Sequence, residues 1–157
     1  MKLASLRIAA LSLLLAAGAA FAADIAPAND KFTPARTKIA EKNWAGAIDE
    51  LKKVNDPASA EWNNLMGYSL RKADPVANAG EAEKFYNEAL RIEPRHRGAL
   101  EYSGELYLMT GNLAKAEERL AALDKACFVP CEEYSDLKKA VARYKAAGNK
   151  YVTQEKW

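Results

Sequence analysis

The groups with the widest chemical range in this 157-residue chain are two cysteines, one histidine and a scatter of carboxylates. Cys127 and Cys131 have the spacing Cys-x3-Cys. Joined to each other they would close a small ring, for which chain entropy suggests on the order of 2 kcal/mol. Left as thiolates they could start a metal site or form a redox couple. A stable metal site wants more ligands than two. The single histidine, His96, is about thirty positions away in sequence, and Met66 and Met109 read as core. His96 stands between Arg95 and Arg97 after Pro94, so it is expected exposed at a helix start. It has no nucleophile motif around it. The glycines at 46, 67, 80, 98, 104, 111 and 148 are scattered and form no phosphate-cradling loop. These residues point away from an enzyme, a cofactor or a bound metal.

The first residues favour one fate for the cysteines. Lys2 and Arg7 precede an apolar run from Ile8 to Ala20, and Ala20-Phe21-Ala22 follows as an A-x-A site. That is the layout of a secretory signal peptide over residues 1–22, with cleavage before Ala23. The run is too short to span a bilayer, which takes about 20 apolar residues. An exported chain, periplasmic by this reading, meets an oxidising compartment, where an even cysteine count reads first as a disulfide. A metal-binding or thiol-redox module at Cys127 and Cys131 is the alternative. The chain carries 23 Lys+Arg and 21 Asp+Glu; losing Lys2 and Arg7 leaves 21 of each. A neutral mature chain gives no electrostatic reason to bind nucleic acid or an anionic membrane.

The remainder is rich in Ala, Leu, Glu and Lys, all strong helix formers, and shows no sustained period-two alternation, so the fold class is all-α. Residues 23–32 read as a flexible leader. Thr33-Pro34 opens a short helix, with Thr33 as its N-cap. Asn43 caps a second, with Trp44, Ala47, Ile48, Leu51 and Val54 at helical spacing. A third carries Trp62 to Leu70 and ends near Lys72. After the loop from Ala73 to Ala79, a fourth carries Ala82 to Ile92 and stops at Pro94. Gly111-Asn112 separates a fifth from a sixth, Cys127–Cys131 separates the sixth from a seventh, and Gly148 is a C-terminal stop. Residues 149–157 show no pattern.

These helices repeat. Ala82 and Ala116, Tyr86 and Leu120, and Ala89 and Leu123 each lie 34 apart. The set Gly67, Ala82, Tyr86, Ala89, Leu90, Pro94 resembles the tetratricopeptide repeat (TPR) consensus, and so does Gly104, Tyr107, Gly111, Ala116, Leu120. Small residues let two antiparallel helices cross closely, and large ones fill the space around them. The resemblance implies a short helix-turn-helix solenoid of about two and a half repeats within residues 33–148. Its units would be a degenerate repeat over 33–56, repeats over 57–94 and 95–126, and a C-terminal capping helix over 131–147. Lys138 falls where Gly67 and Gly104 sit and would keep the outer face of that last helix polar. With Gly98-Ala99-Leu100-Glu101-Tyr102 and Cys127-x3-Cys131-Glu132-Glu133-Tyr134, the chain looks similar to a group of small exported bacterial TPR proteins.

In that family the first helices of successive units line a concave groove that commonly receives peptides. The resemblance therefore implies a non-catalytic scaffold that binds an unidentified protein or peptide, or else a structural subunit of an envelope assembly. On the groove it places Asn64, Tyr68, Arg71 and Lys72 from one unit and Glu101, Glu105, Leu108 and Met109 from the next. The face is expected to run from basic to acidic, with Arg71 and Lys72 both exposed.

Overall fold

The computed structural model describes residues 30–152. The expected signal peptide, most of the leader and the last five residues lie outside them. The described residues form seven α-helices and no strand: α1 Thr33–Ala40, α2 Trp44–Val54, α3 Ala60–Ala73, α4 Ala79–Ile92, α5 Arg97–Met109, α6 Leu113–Ala126 and α7 Glu132–Ala146. None is long and apolar enough to cross a membrane.

Local chemistry sets most of the helix ends. Side-chain oxygens of Asn43, Ser59 and Asn112 accept from the backbone N–H three residues on, opening α2, α3 and α6. Thr33 departs from expectation, because it lies inside α1 and Phe32 occupies the cap. Asp30 organises that entry, its carboxylate accepting from Phe32 N–H at 3.0 Å and its carbonyl from Thr33 N–H at 2.9 Å. Gly111, at φ +80°, closes α5, and Gly148, at φ +70°, closes α7. Each turn lets the next amide reach back to a helix carbonyl, Asn112 to Tyr107 and Asn149 to Tyr144. An L-residue would strain at either position.

Antiparallel pairs α1–α2, α3–α4 and α5–α6 stack in sequence, and α7 packs on α5 and α6. This is the all-α helical repeat solenoid that the sequence pattern predicts. Two apolar clusters hold it. One, around Leu51, Trp62, Leu65, Met66, Ala82 and Tyr86, joins the first two pairs. The other, around Leu100, Tyr107, Leu123, Leu137, Val141 and Tyr144, joins the third pair to α7. Leu90 touches both, so the core is continuous along the stack.

The small residues act where the spacing places them. A methyl on Gly67 would come within 2.9 Å of the Tyr86 ring and 3.1 Å of the Ala82 carbonyl oxygen. One on Gly104 would meet Leu137 Cδ2 at 2.5 Å. The first glycine admits α4 against α3, and the second admits α7 against α5. Lys138 is exposed, with its ammonium over the Tyr134 ring.

Candidate functional site

The inner face is formed by α1, α3, α5 and α7. Its half-buried floor is aromatic. The Tyr68 and Tyr102 rings lie 4.7 Å apart, and Trp44 meets Tyr68 edge-on at 6.0 Å. Ile39 and Leu65 complete a depression of about 230 Å³, whose rim carries Arg36, Glu61 and Asn64. A larger cavity of about 620 Å³ adjoins it at the N-terminal end of α5. It shares Glu61, Asn64 and Tyr102 with the first and extends past His96, Gly98 and Glu101 to Cys127, Phe128 and Glu133. The two form one trough running from α1 to the joint before α7.

The expected residues separate into two groups. Asn64 and Tyr68 line the depression, and Asn64 and Glu101 line the larger cavity. Lys72 is half-buried, with its ammonium 5.7 Å from the Trp44 ring and 5.9 Å from Tyr68. Burial and the neighbouring Arg71 charge lower its pKa. Arg71, Glu105 and Leu108 lie elsewhere. Arg71 is only 4% exposed, which corrects the expectation that it stands free beside Lys72. Its Nη2 pairs with Glu105 Oε2 at 3.0 Å, and its Nη1 reaches the Met109 sulfur at 3.7 Å. Tyr68 and Tyr102 cover the guanidinium, each ring centroid at 5.7 Å. Burial opposes its charge, but Tyr86 and Glu105 hold its pKa above the ordinary value. The Tyr86 hydroxyl is close enough to sense that charge, yet has no partner at hydrogen-bond geometry. Leu108 is 1% exposed, inside the second core cluster. Beyond α7 the chain turns back, so that Tyr151 and Val152 lie against Glu105 and Leu108.

The predicted polarity of the groove is therefore cancelled in part, at Arg71 and Glu105. The acid of one unit neutralises the base of the previous one across the α3–α5 contact. Repeat spacing alone cannot reveal this, because it aligns equivalent residues and is silent on how far one helix slides along its neighbour.

His96 stands at the start of α5 as expected, but it is not exposed. Its side chain is 13% exposed and forms the N-cap of α5. Nδ1 accepts from Ala99 N–H at 3.2 Å, so Nε2 carries the proton and donates to Glu61 Oε2 at 2.9 Å. Arg36 reaches the other oxygen of Glu61 at 2.6 Å. Burial pushes the Glu61 carboxyl up, but the His96 hydrogen bond and the Arg36 charge outweigh it and hold the pKa below its usual value.

Glu101 behaves oppositely. It is 4% exposed, and burial together with Glu105, Asp136 and Glu133 pushes its carboxyl up to about 8, against a smaller opposing effect of Arg71. Among the described residues no cation pairs with it.

Sequence reasoning missed Ile39, Glu61, His96 and Tyr102 as parts of this face. Tyr102 had a usable signal, since it lies 34 residues after Tyr68 on the same side of the next first helix.

Cys127 and Cys131 are joined in a disulfide, with Cα atoms 5.9 Å apart. The bond ties the end of α6 to the start of α7 and leaves Phe128 and Val129 projecting at 89% and 73% exposure. Arg95 lies over the Phe128 ring at 4.7 Å and donates to the Lys125 carbonyl at 2.9 Å. In this state neither sulfur is a free thiolate, the form that a metal would need. Among the described residues no group of three or more His, Cys, Asp or Glu could hold a metal ion.

No curated protein matches the chain. Residues 77–141, from the loop before α4 to well inside α7, match the model of a tetratricopeptide repeat family.

Proposed function

We propose that the chain is a non-catalytic, exported scaffold that binds an extended segment of another protein along its inner trough. The repeat match supports a protein partner, since such repeats generally mediate protein–protein interaction. The observation that carries the reading is the aromatic floor of Tyr68 and Tyr102 in a concave, open face. Concave surface with apolar walls and a few placed polar groups is where recognition concentrates. Tyrosines supply contact area at low entropic cost, and a backbone amide of an extended segment can bond a phenol or the Asn64 carboxamide. The contact set is Asn64, Tyr68, Lys72 and Glu101 from the sequence expectation, joined by Ile39, Glu61 and Tyr102. Arg71, Glu105 and Leu108 support this set from beneath.

Export rests on the signal-like residues 1–22 and agrees with a disulfide at Cys127–Cys131. The test is capture from the native cell envelope with the chain beginning at Ala23. The parent should retain a discrete partner that Tyr68→Ala/Tyr102→Ala loses while keeping its helicity. Equal retention by both forms would remove the trough as the binding surface.

A further inference from the structure

The larger cavity is lined by three nitrogen-bearing donor side chains, and each has a partner. His96 donates to Glu61, Arg97 lies 3.5 Å from Glu133, and Arg95 is held by the Lys125 carbonyl and the Phe128 ring. The acceptors are not committed in the same way. The Asn64 side-chain oxygen is buried and has no hydrogen-bond partner, although its residue is 5% exposed and lines the cavity. The Glu101 carboxylate lines the same wall, with no donor or cation bonded to it among the described residues. Besides the exposed Glu93 carboxylate, the cavity lining thus holds two acceptors without a partner, the covered Asn64 oxygen and the Glu101 carboxylate. A buried acceptor without a donor keeps an uncompensated desolvation cost, so the site is poised for a ligand that donates.

We propose that the cavity at the N-terminal end of α5 is a subsite for a single ammonium or guanidinium group, seated on Glu101 and Asn64, and that it takes a lysine or arginine side chain of the bound segment. This rests on the reading of the trough as a binding face and adds the chemistry of one position on it. The cavity, at about 620 Å³, is large enough for such a side chain. The aliphatic stem would lie on Tyr102, whose ring faces are rich in electron density and suit a cation.

A pH signature follows. Glu101 faces Glu105 on its own helix and Glu133 and Asp136 from α7; burial first, and then these three carboxylates, raise its carboxyl to about 8 against the weaker effect of Arg71 from α3. Glu61 and His96, bonded to each other, and Arg97 lie on the same cavity. The ionised form of Glu101 is the one that holds a cation. Affinity should therefore rise with pH through about 8 and level off above it, while a lysine ammonium stays protonated over that range.

The test uses pentaglycine peptides, N-acetylated and C-amidated, with a central lysine, arginine or glutamine, and putrescine as a free diamine. They are titrated into the full mature chain while the backbone amides of Gly98, Tyr102 and Phe128 are followed by NMR. The lysine and arginine peptides should shift these amides saturably at millimolar concentration, and the glutamine peptide should bind about tenfold or more weakly. Putrescine stronger than the peptides would show a small-amine site and overturn the side-chain assignment. Glu101→Gln copies the shape of the protonated acid; it should weaken the lysine peptide about tenfold and abolish the rise with pH. If Glu101→Gln loses its dispersed spectrum, the comparison moves to Asn64→Ala, expected to weaken binding about threefold to tenfold. Equal binding of the glutamine peptide would overturn the subsite and leave the trough as a binding face. Absence of any saturable shift, or unchanged affinity in the variant used, would overturn the subsite as well.

Discussion

Arg71 Nη2 and Glu105 Oε2 lie 3.0 Å apart, with both side chains about 95% removed from solvent, and they join α3 of one helix pair to α5 of the next. The Arg71 Nε and one Glu105 oxygen have no hydrogen-bond partner, so the pair is incompletely satisfied. Removing one member leaves an uncompensated buried charge, which typically costs about 3–5 kcal/mol. Arg71→Met should fall in that range by urea unfolding. Arg71→Met/Glu105→Leu should recover most of it, since an apolar pair of similar volume is often as stable as a buried ion pair. A double variant no better than the sum of the singles would mean that the pair does not act as a unit.

The glycines give a second prediction. Gly67→Ala gains up to about 1 kcal/mol of helix propensity but sets a methyl against the Tyr86 ring and the Ala82 carbonyl, and overpacking of this kind costs about 1–3 kcal/mol. A net loss is expected. Gly80→Ala in the first turn of α4 meets nothing within 4 Å and should be neutral or slightly stabilising. Thermal unfolding of both variants distinguishes close approach from general glycine effects.

The linear pattern revealed the pair-by-pair solenoid because Gly67, Ala82, Gly104 and Ala116 are intrinsic to how two helices cross, and a crossing is local in sequence. The helix stops at Gly111 and Gly148 were legible for the same reason. The candidate site was legible only in part. Tyr68, Asn64 and Glu101 could be assigned to the inner face from register. Whether a charge on that face meets water or another charge depends on the stagger of α3 against α5, and no residue spacing records it. Arg71 therefore read as a binding group when it is an internal strut. His96 read as solvated because its partner, Glu61, belongs to the previous repeat.

Glu101 and Glu61 make opposite contributions to the pH dependence of stability. Glu101 has a folded pKa of about 8, above that of an unfolded glutamate, so the folded chain binds the extra proton. Its contribution is favourable at low pH and is lost as pH rises toward 8. Glu61 has a lowered folded pKa, so its contribution is present above the unfolded value and is lost on acidification through the folded one. Glu101→Gln should therefore gain stability over the parent between about pH 5 and 8, by a few kcal/mol at the upper end. Denaturant midpoints at pH 5 and pH 8 check this, and equal differences at the two values would contradict it.

The disulfide closes a ring of few residues, so its contribution is expected to be local and on the order of 2 kcal/mol. Protein isolated from its own compartment should show no free thiol until reduced. Reduction should raise hydrogen exchange at residues 127–133 and leave α3 and α4 unchanged. Loss of protection throughout the chain would assign the bond a global role instead.

The most direct measurement of the central claim is photo-crosslinking in the cells that make the chain. A photoreactive phenylalanine replaces Tyr68 on the inner face or the exposed Glu118 on α6. The account predicts a discrete protein adduct from position 68, suppressed when Tyr102→Ala is added, and none from position 118. Adducts from position 118 alone, or none from either position, would contradict the trough as the surface by which this chain recognises its partner.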